Sequence, residues 1–595
     1  MRVTRRRLLR GAAALSLLRA LPAGAAPFHR VRPGDTGWPP PQEWEALRAQ
    51  VNGNLTKPTA LFSACAANAA NPDCRAATTE LGNPYFIGDQ AGGTQVSGWL
   101  GAWAPAPSAY AVAAHTAQDV VAAVNFARTH RLRLAVKGGG HSYQGTSNAP
   151  DSLLVWLRPM QAITLHDNFT PQDCAGAPSP AVTIEAGAMW GDAYDAVTTK
   201  AHRYVQGGGC MTVGVAGLVQ SGGFGSFSKR YGTAASSLLE AEIVTADGKL
   251  RTINACRDAD LFWGLKGGGG GSLGVVTKLT LKTHTLPEFF GYADCTIKAA
   301  SDQDFQRLLA QFFNFYAAEL FNPHWGEGIT IFPDNTLDVS MASQGMSTED
   351  AKGIWQPFLS WVAAQGPAYS TTGTSIGSDA ADSYWDVEAM RKAGSRAVEF
   401  DTRPGARAAH GWWRGDEAQV GAFLYGYDSL WLPKSLLEPG SRSKLADALF
   451  AASREMLVRV HFNKGVAGGT PEAIAAARDT ATNPNVCDAF GLAIIATGGA
   501  PRYPGLVPPD DQAKADSDAK GVDRATAILR ALAPDSGSYV SESNFFNANW
   551  RGDFWGVNYR RLAAVKAKYD PDGLFTVHHG VGSEAWSEDG FTRRA

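Results

Sequence analysis

Lys137-Gly138-Gly139-Gly140-His141-Ser142-Tyr143-Gln144-Gly145 is a glycine-rich turn that closes on a histidine, and Gly207-Gly208-Gly209-Cys210 is a second such turn that closes on a cysteine. Without a Cβ, glycine lets backbone N–H groups come close to an anionic group. Histidine and cysteine are the side chains best able to bond covalently to an electron-poor ring. A turn histidine bound to backbone, or a buried thiol, is ordinary taken singly; both together in matched glycine contexts predict a redox enzyme that holds a ring-bearing, phosphorylated cofactor.

Working outward, Thr116-Ala117-Gln118-Asp119 reads as a capping box opening a helix with Val120, Val121 and Val124 on one face, and this helix runs into the apolar segment Leu132–Val136. Helix, strand and glycine turn make an α/β unit. Strands are predicted over Leu153–Leu157 and Val182–Ala186, and a helix over Ala193–Ala201 just before the cysteine turn. Gly214-Val215-Ala216-Gly217 and Ser221-Gly222-Gly223-Phe224-Gly225 follow. Ala241–Thr245, the Asp247-Gly248 turn and Leu250–Ile253 read as a hairpin. Five consecutive glycines, Gly267–Gly271, precede a strand Val275–Leu281; a run with no side chain to pack predicts close backbone approach to a ligand.

Past Pro287 the texture changes to amphipathic helices, Asp302–Phe315 and Ser443–Val458, mixed with the short strands Ile329–Phe332 and Leu337–Met341. Upstream, the segment from Pro27 to about Gly93 is irregular apart from a helix over Gln42–Val51 and reads as a wrapping extension.

The 595 residues exceed what one hydrophobic core organises, so two or more domains are expected. A net charge of −2 leaves no basic surplus for a nucleic acid partner. The N-terminus, Thr4-Arg5-Arg6-Arg7-Leu8-Leu9-Arg10 followed by an Ala/Leu run and Ala23-Gly24-Ala25-Ala26, is similar to a bacterial twin-arginine leader with cleavage near Ala25 or Ala26. Its apolar run, broken by Arg19, is too short to span a bilayer, so no stable membrane anchor is expected. Seven cysteines are present, and Cys65 and Cys74 are close enough in sequence to bridge one loop.

The ordered set of Lys137–Gly145, Gly209-Cys210 with Thr212-Val213-Gly214, Ser221–Gly225, Asp260–Gly271, Asn558-Tyr559-Arg560-Arg561-Leu562 and Lys568-Tyr569-Asp570-Pro571 resembles the berberine bridge enzyme-like family, flavoproteins of the vanillyl-alcohol oxidase type. The resemblance implies an α+β fold: a two-part PCMH-type FAD-binding domain over residues 27–286, a substrate domain with an antiparallel sheet covered by helices over residues 287–534, and a return to the FAD domain over residues 535–595, behind a signal peptide at residues 1–26. It further implies FAD attached twice, by His141 at the 8α-methyl carbon and by Cys210 at ring carbon 6. Gly138, Gly139, Gly140 and Ser142 would face the pyrophosphate, and Gly222, Gly223 and the Gly267–Gly271 run would line the adenosine diphosphate channel. Gly214, Gly217, Gly225, Val275, Asn558 and Tyr559 complete the expected cofactor contacts. Val213, three residues after Cys210, resembles the residue found in the oxidases of the family and points to oxygen as electron acceptor. The family's Tyr-x-Asn segment stands here as Tyr539-Val540-Ser541-Glu542, without the usual Asn.

Flavin oxidation of an alcohol needs a base for the hydroxyl proton. Tyr539 and Glu542 are the sequence candidates; the tyrosine needs a neighbour to lower its pKa, whereas the glutamate is ionised at neutral pH. Asp401, Arg403, His410 and Trp412–Arg414 form a charged aromatic segment that receives no assignment. No metal site is expected, since His578 and His579 should diverge on an extended strand. The reading is an exported oxidase, periplasmic or secreted by way of the twin-arginine machinery, acting on an alcohol or sugar hydroxyl with oxygen. A flavin dehydrogenase with another acceptor and a non-catalytic binder of carbohydrates or phenols are the alternatives.

Overall fold

The computed structural model describes residues 28–66 and 68–594. The twin-arginine leader and its cleavage site therefore lie outside the described residues. The first sheet contains β1 (Leu55–Thr56), β2 (Tyr110–Ala113), β3 (Arg133–Lys137) and β4 (Ser152–Trp156) in the order β1-β2-β4-β3, with β2, β4 and β3 parallel. The helix Ala117–Thr129 joins β2 to β3, opened by the reciprocal box of Thr116 and Asp119, and it buries Val120, Ala123, Val124 and Ala127. Each fully buried valine of this kind contributes about 1.5–3 kcal/mol.

The second sheet holds β5 (Ile163–Phe169), β6 (Ser179–Glu185), β7 (Arg203–Val205), β8 (Leu238–Val244), β9 (Leu250–Asn254) and β10 (Val275–Thr285), with β10 at its centre, antiparallel to β6, β7 and β8. The hairpin read around Asp247-Gly248 is β8–β9. The third sheet is antiparallel and seven-stranded: β11 (Phe289–Ala299), β12 (Trp325–Ile331), β13 (Thr336–Gln344), β14 (Tyr369–Ala380), β17 (Phe423–Pro433), β18 (Val458–His461) and β19 (Ala489–Gly499), in the order β14-β11-β13-β12-β18-β19-β17. β15 (Val398–Phe400) and β16 (Gly411–Trp413) form a separate ribbon. The helices Asp302–Phe315, Thr348–Ala364, Arg442–Glu455 and Gln512–Leu532 cover one face of the third sheet. This is the α+β architecture read from the sequence.

Two predicted helices came out differently. Over Ala193–Ala201 the chain forms a short helix, Trp190–Tyr194, and then a wide π turn over Asp195–Thr199; the β-branched Val197, Thr198 and Thr199 are poor partners for regular helix. The helix read over Ser443–Val458 stops at Glu455, because Val458 and Val460 alternate into the sheet as β18.

Two buried lysines tie these layers. Lys137 Nζ donates to the carbonyls of Gln90, Ala91 and Gly93 at 2.8, 2.6 and 2.9 Å, pinning the start of the first glycine turn. Lys229 Nζ donates to the carbonyls of Phe462, Gly465 and Phe490, joining the glycine-rich half to the third sheet. Burial pulls both ammonium groups down to a pKa of about 7. Disulfides link Cys65 to Cys74 and Cys174 to Cys256, while Cys295 and Cys487 are buried free thiols.

Candidate functional site

Between the glycine turns and the helix-free face of the third sheet lies a cavity of about 710 Å³. His141 follows β3, and Cys210 follows β7. His141 Nε2 lies 3.2 Å from Thr212 Oγ1, and Cys210 Sγ lies 3.6 Å from the same oxygen. The two nucleophiles can thus be no farther apart than those contacts laid end to end, within reach of a single ring. Burial holds the His141 imidazole down at a pKa of about 4, keeping its ring nitrogens neutral. The Cys210 thiol is pushed well above the usual range by burial and then by the Asp416 carboxylate beside it.

The first turn is shaped for close approach. Gly139 and Gly214 back onto each other so tightly that a Cβ on Gly139 would sit 2.8 Å from the Gly214 nitrogen, and Gly140 takes φ +80°. Among the described residues, the amides of Gly138, Gly139, Gly140, His141 and Ser142 donate to no backbone carbonyl, leaving a row of free N–H groups along the cavity wall. The Ser142 hydroxyl, by contrast, accepts from the amide and hydroxyl of Thr146. Gly217 and Gly270 line the cavity with nothing within 4 Å of where a Cβ would stand. These features fit a flat, phosphorylated cofactor held by backbone.

Val213, Gly214 and Gly217 line the cavity as well, but several expected contacts do not. A Cβ on Gly222 would meet Thr482, one on Gly223 would meet Leu218 and Ala234, and one on Gly225 would overlap the Gly207 carbonyl, so these glycines serve chain packing. Within the pentaglycine run, Gly269, Gly270 and Gly271 reach the cavity, whereas Gly267 packs on Thr482 and Gly268 on Gly264. Val275 is buried in the core, and strand alternation puts Val276 on the cavity instead. Asn558 donates to the Thr482 carbonyl at 2.7 Å and Tyr559 to the Glu584 carboxylate at 2.6 Å, both outside the cavity lining.

Tyr539 and Glu542 both line the cavity. Tyr539 packs edge-on against Phe224 with ring centroids 5.1 Å apart, and burial followed by the Glu542 charge raises its phenol pKa, the opposite of the activation a base requires. Both Glu542 oxygens grip Lys464 Nζ, at 2.7 and 2.6 Å. His578 and His579 do not diverge; their rings stack 3.8 Å apart in a turn on the cavity edge. Among the described residues no group of His, Cys, Asp and Glu gathers as a metal site would. Asp401, Arg403 and His410 join Asp89 and Asp192 in a partly buried network, and Trp413 Nε1 donates to the Gly209 carbonyl at 3.1 Å.

The opposite wall went unread in the sequence. Gly328 and Thr330 of β12, Asp338 and Ser340 of β13, and Arg459 and His461 of β18 stand in register across three adjacent strands and face the cavity. Burial drives the His461 pKa well down, with Lys464 and Arg459 adding to it. Glu327 joins them from a β12 position with φ +59°. Alternation within the predicted strands gave their two faces, but nothing in the chain gave the pairing of β18 with β12.

Fold and site together define a redox flavoprotein. The FAD binding domain family matches residues 107–254, and the berberine and berberine-like family matches residues 538–582. A VAO-type flavoprotein oxidase of Thermothelomyces thermophilus is 28% identical over 597 residues, covering 95% of this chain and 94% of its own. A VAO-type flavoprotein structure from Myceliophthora thermophila superposes with a TM-score of 0.77 at 24% identity, over 95% of this chain and 100% of that one. The glucooligosaccharide oxidase of Acremonium strictum, described with a 6-S-cysteinyl, 8α-N1-histidyl FAD, superposes with a TM-score of 0.62 at 19% identity, over 80% of this chain and 92% of that one. These likenesses support the berberine bridge enzyme-like family of VAO-type flavoproteins, and the chain is an FAD-dependent oxidoreductase.

Proposed function

We propose that this protein is an exported oxidase that carries FAD on two covalent tethers, His141 to the 8α-methyl carbon and Cys210 to ring carbon 6, and that it oxidises a hydroxyl of an alcohol or sugar with oxygen as acceptor. The observation that carries this reading is the convergence of His141 Nε2 and Cys210 Sγ on the one hydroxyl of Thr212 at the cavity wall. FAD, once bound, supplies the hydride acceptor and passes two electrons to oxygen, giving hydrogen peroxide. The chain's residues bind and orient: the free amides of Gly138–Ser142 meet the negative charge of the pyrophosphate, and the neutral His141 ring offers a nitrogen lone pair. Val213 lies on the cavity wall, and its small side chain supports access for oxygen. The doubly linked FAD named for the Acremonium strictum enzyme supports the tethers, and carbohydrate oxidases among the solved neighbours support a hydroxyl-bearing substrate. The twin-arginine pattern at Arg5-Arg6-Arg7 supports export of a chain that acquires its cofactor before crossing the membrane.

The test is colour after acid precipitation. The wild type should give a yellow pellet, His141→Ala and Cys210→Ala should each keep one tether, and the double variant should lose all covalent flavin. Covalent flavin in the double variant overturns the assignment. Peroxide release in air from a panel of mono- and oligosaccharides and aromatic alcohols separates an oxidase from a dehydrogenase.

A further inference from the structure

β12 breaks its own alternation at one residue. Trp325, Ile329 and Ile331 point into the helix-covered core, and their register partners Val339 and Leu337 do the same. Gly328 and Thr330 face the cavity. Glu327, opposite the core residue Met341, belongs by parity to the helix side, where a carboxylate would be buried among Trp325, Ile329 and Met341. Its backbone instead takes φ +59°, a left-handed conformation that is strained for a non-glycine residue. The carboxylate reaches the cavity as a result. There Oε1 accepts from Ser226 Oγ and from Asn463 Nδ2, the latter at 3.3 Å, so the two halves of the protein each supply one donor. Oε2 has no hydrogen-bond donor among the described residues. A Cβ on Gly209 would stand 3.7 Å from Oε1, which puts the carboxylate beside the residue that precedes Cys210.

Strain of this kind persists where surrounding structure over-determines it, and here what it achieves is placing one acceptor oxygen in the cavity. Of the two residues read from the sequence, Glu542 spends both oxygens on Lys464 and the Tyr539 phenol keeps its proton; of the other carboxylates on the cavity, Asp338 accepts from Thr296 and Asp416 is tied to the Cys210 thiol. We propose that Glu327 is the catalytic base, taking the hydroxyl proton of the substrate on its free carboxylate oxygen. The inference rests on the reading of the protein as a flavin-dependent alcohol oxidase. In that reaction the O–H bond breaks and its proton passes to Glu327. The C–H bond breaks, its hydrogen leaves with the electron pair to bound FAD, and the alcohol becomes a carbonyl compound. Oxygen then takes the two electrons and two protons, one of them from Glu327, and leaves as hydrogen peroxide.

The experiment uses holoenzyme and sulfite, a small anion that bleaches the absorbance of an accessible oxidised flavin. Glu327→Gln should keep its acid-stable yellow colour, because the residue plays no part in either tether. It should bind sulfite about tenfold more tightly, since a carboxylate beside the reacting edge repels the anion. Peroxide production from any alcohol that the wild type oxidises should fall by about 100-fold or more. Should Glu327→Gln fail to fold, Glu327→Gly serves, because glycine accepts the left-handed backbone without strain; it should melt no lower than the wild type while showing the same gain in sulfite affinity. Unchanged sulfite affinity in a folded, yellow variant overturns the role of Glu327. A colourless wild type instead overturns the flavin reading beneath it.

Discussion

The two walls of the cavity are built on different principles. The wall bearing His141 and Cys210 is mostly backbone: free amides, glycines backed against each other, and two nucleophiles sharing the Thr212 hydroxyl. The facing wall is sheet, where Asp338, Thr330 and Arg459 project from three strands in register. Where Gly139 and Gly214 meet, the backbone wall has no slack, because adding a Cβ there runs into main chain. A side-chain wall has slack, because each residue that projects into the cavity can be shortened without disturbing its strand.

The largest test of this contrast is Gly139→Val. Its Cβ would stand 2.8 Å from the Gly214 nitrogen and 3.1 Å from the Gly214 Cα, with no flexible side chain to give way. The cost should exceed about 4 kcal/mol, enough to abolish folded, flavin-carrying protein. Soluble yield and acid-stable flavin content check it, and a folded yellow variant would remove the claim that this wall is rigid.

Within the backbone wall, the two tethers should answer pH differently. The His141 pKa is lowered to about 4, so the imidazole is neutral above that value and gains a proton only below it. In Cys210→Ala apoprotein given FAD, covalent incorporation should be flat from about pH 8 to about pH 5 and fall below about pH 4. The Cys210 thiol is held above its usual range by burial and by Asp416, and the thiolate is the attacking form. In His141→Ala apoprotein, incorporation should therefore climb with pH without levelling off near the ordinary thiol pKa. Incorporation through His141 that falls near pH 6.5, as for an exposed imidazole, would contradict the burial argument.

The same division explains what the chain disclosed. Backbone walls demand glycine, and Gly138–Gly140, Gly207–Gly209 and Gly267–Gly271 stand out in any reading, so His141 and Cys210 could be paired across nearly seventy residues of chain. Where glycine serves packing instead, as at Gly222, Gly223 and Gly225, the composition is identical, and only the Thr482, Leu218 and Gly207 neighbours tell the roles apart. The helices Asp302–Phe315 and Ala117–Thr129 were legible because capping and apolar spacing are local. The sheet wall was not, because facing residues there depend on which strands pair, and β18 was not read as a strand, the predicted helix running on to its first residue, Val458. Glu327 was the least legible: it lies outside the strand read over Ile329–Phe332, and a single backbone angle turns it from the core face to the cavity.

The smallest effect should come from the sheet wall. Arg459 lies on β18 opposite Thr330 and Ile494, lines the cavity, and has no carboxylate partner among the described residues. Arg459→Ala removes neither core packing nor an ion pair, because its chain neighbours Val458 and Val460 are the residues that fill the core behind it. Stability should change by no more than about 0.5 kcal/mol, a shift in melting temperature of about 2 °C or less. A drop approaching that of Gly139→Val would mean that the sheet wall is as tightly determined as the backbone wall, and that freedom to vary the substrate side without refolding the cofactor side is not built into this fold.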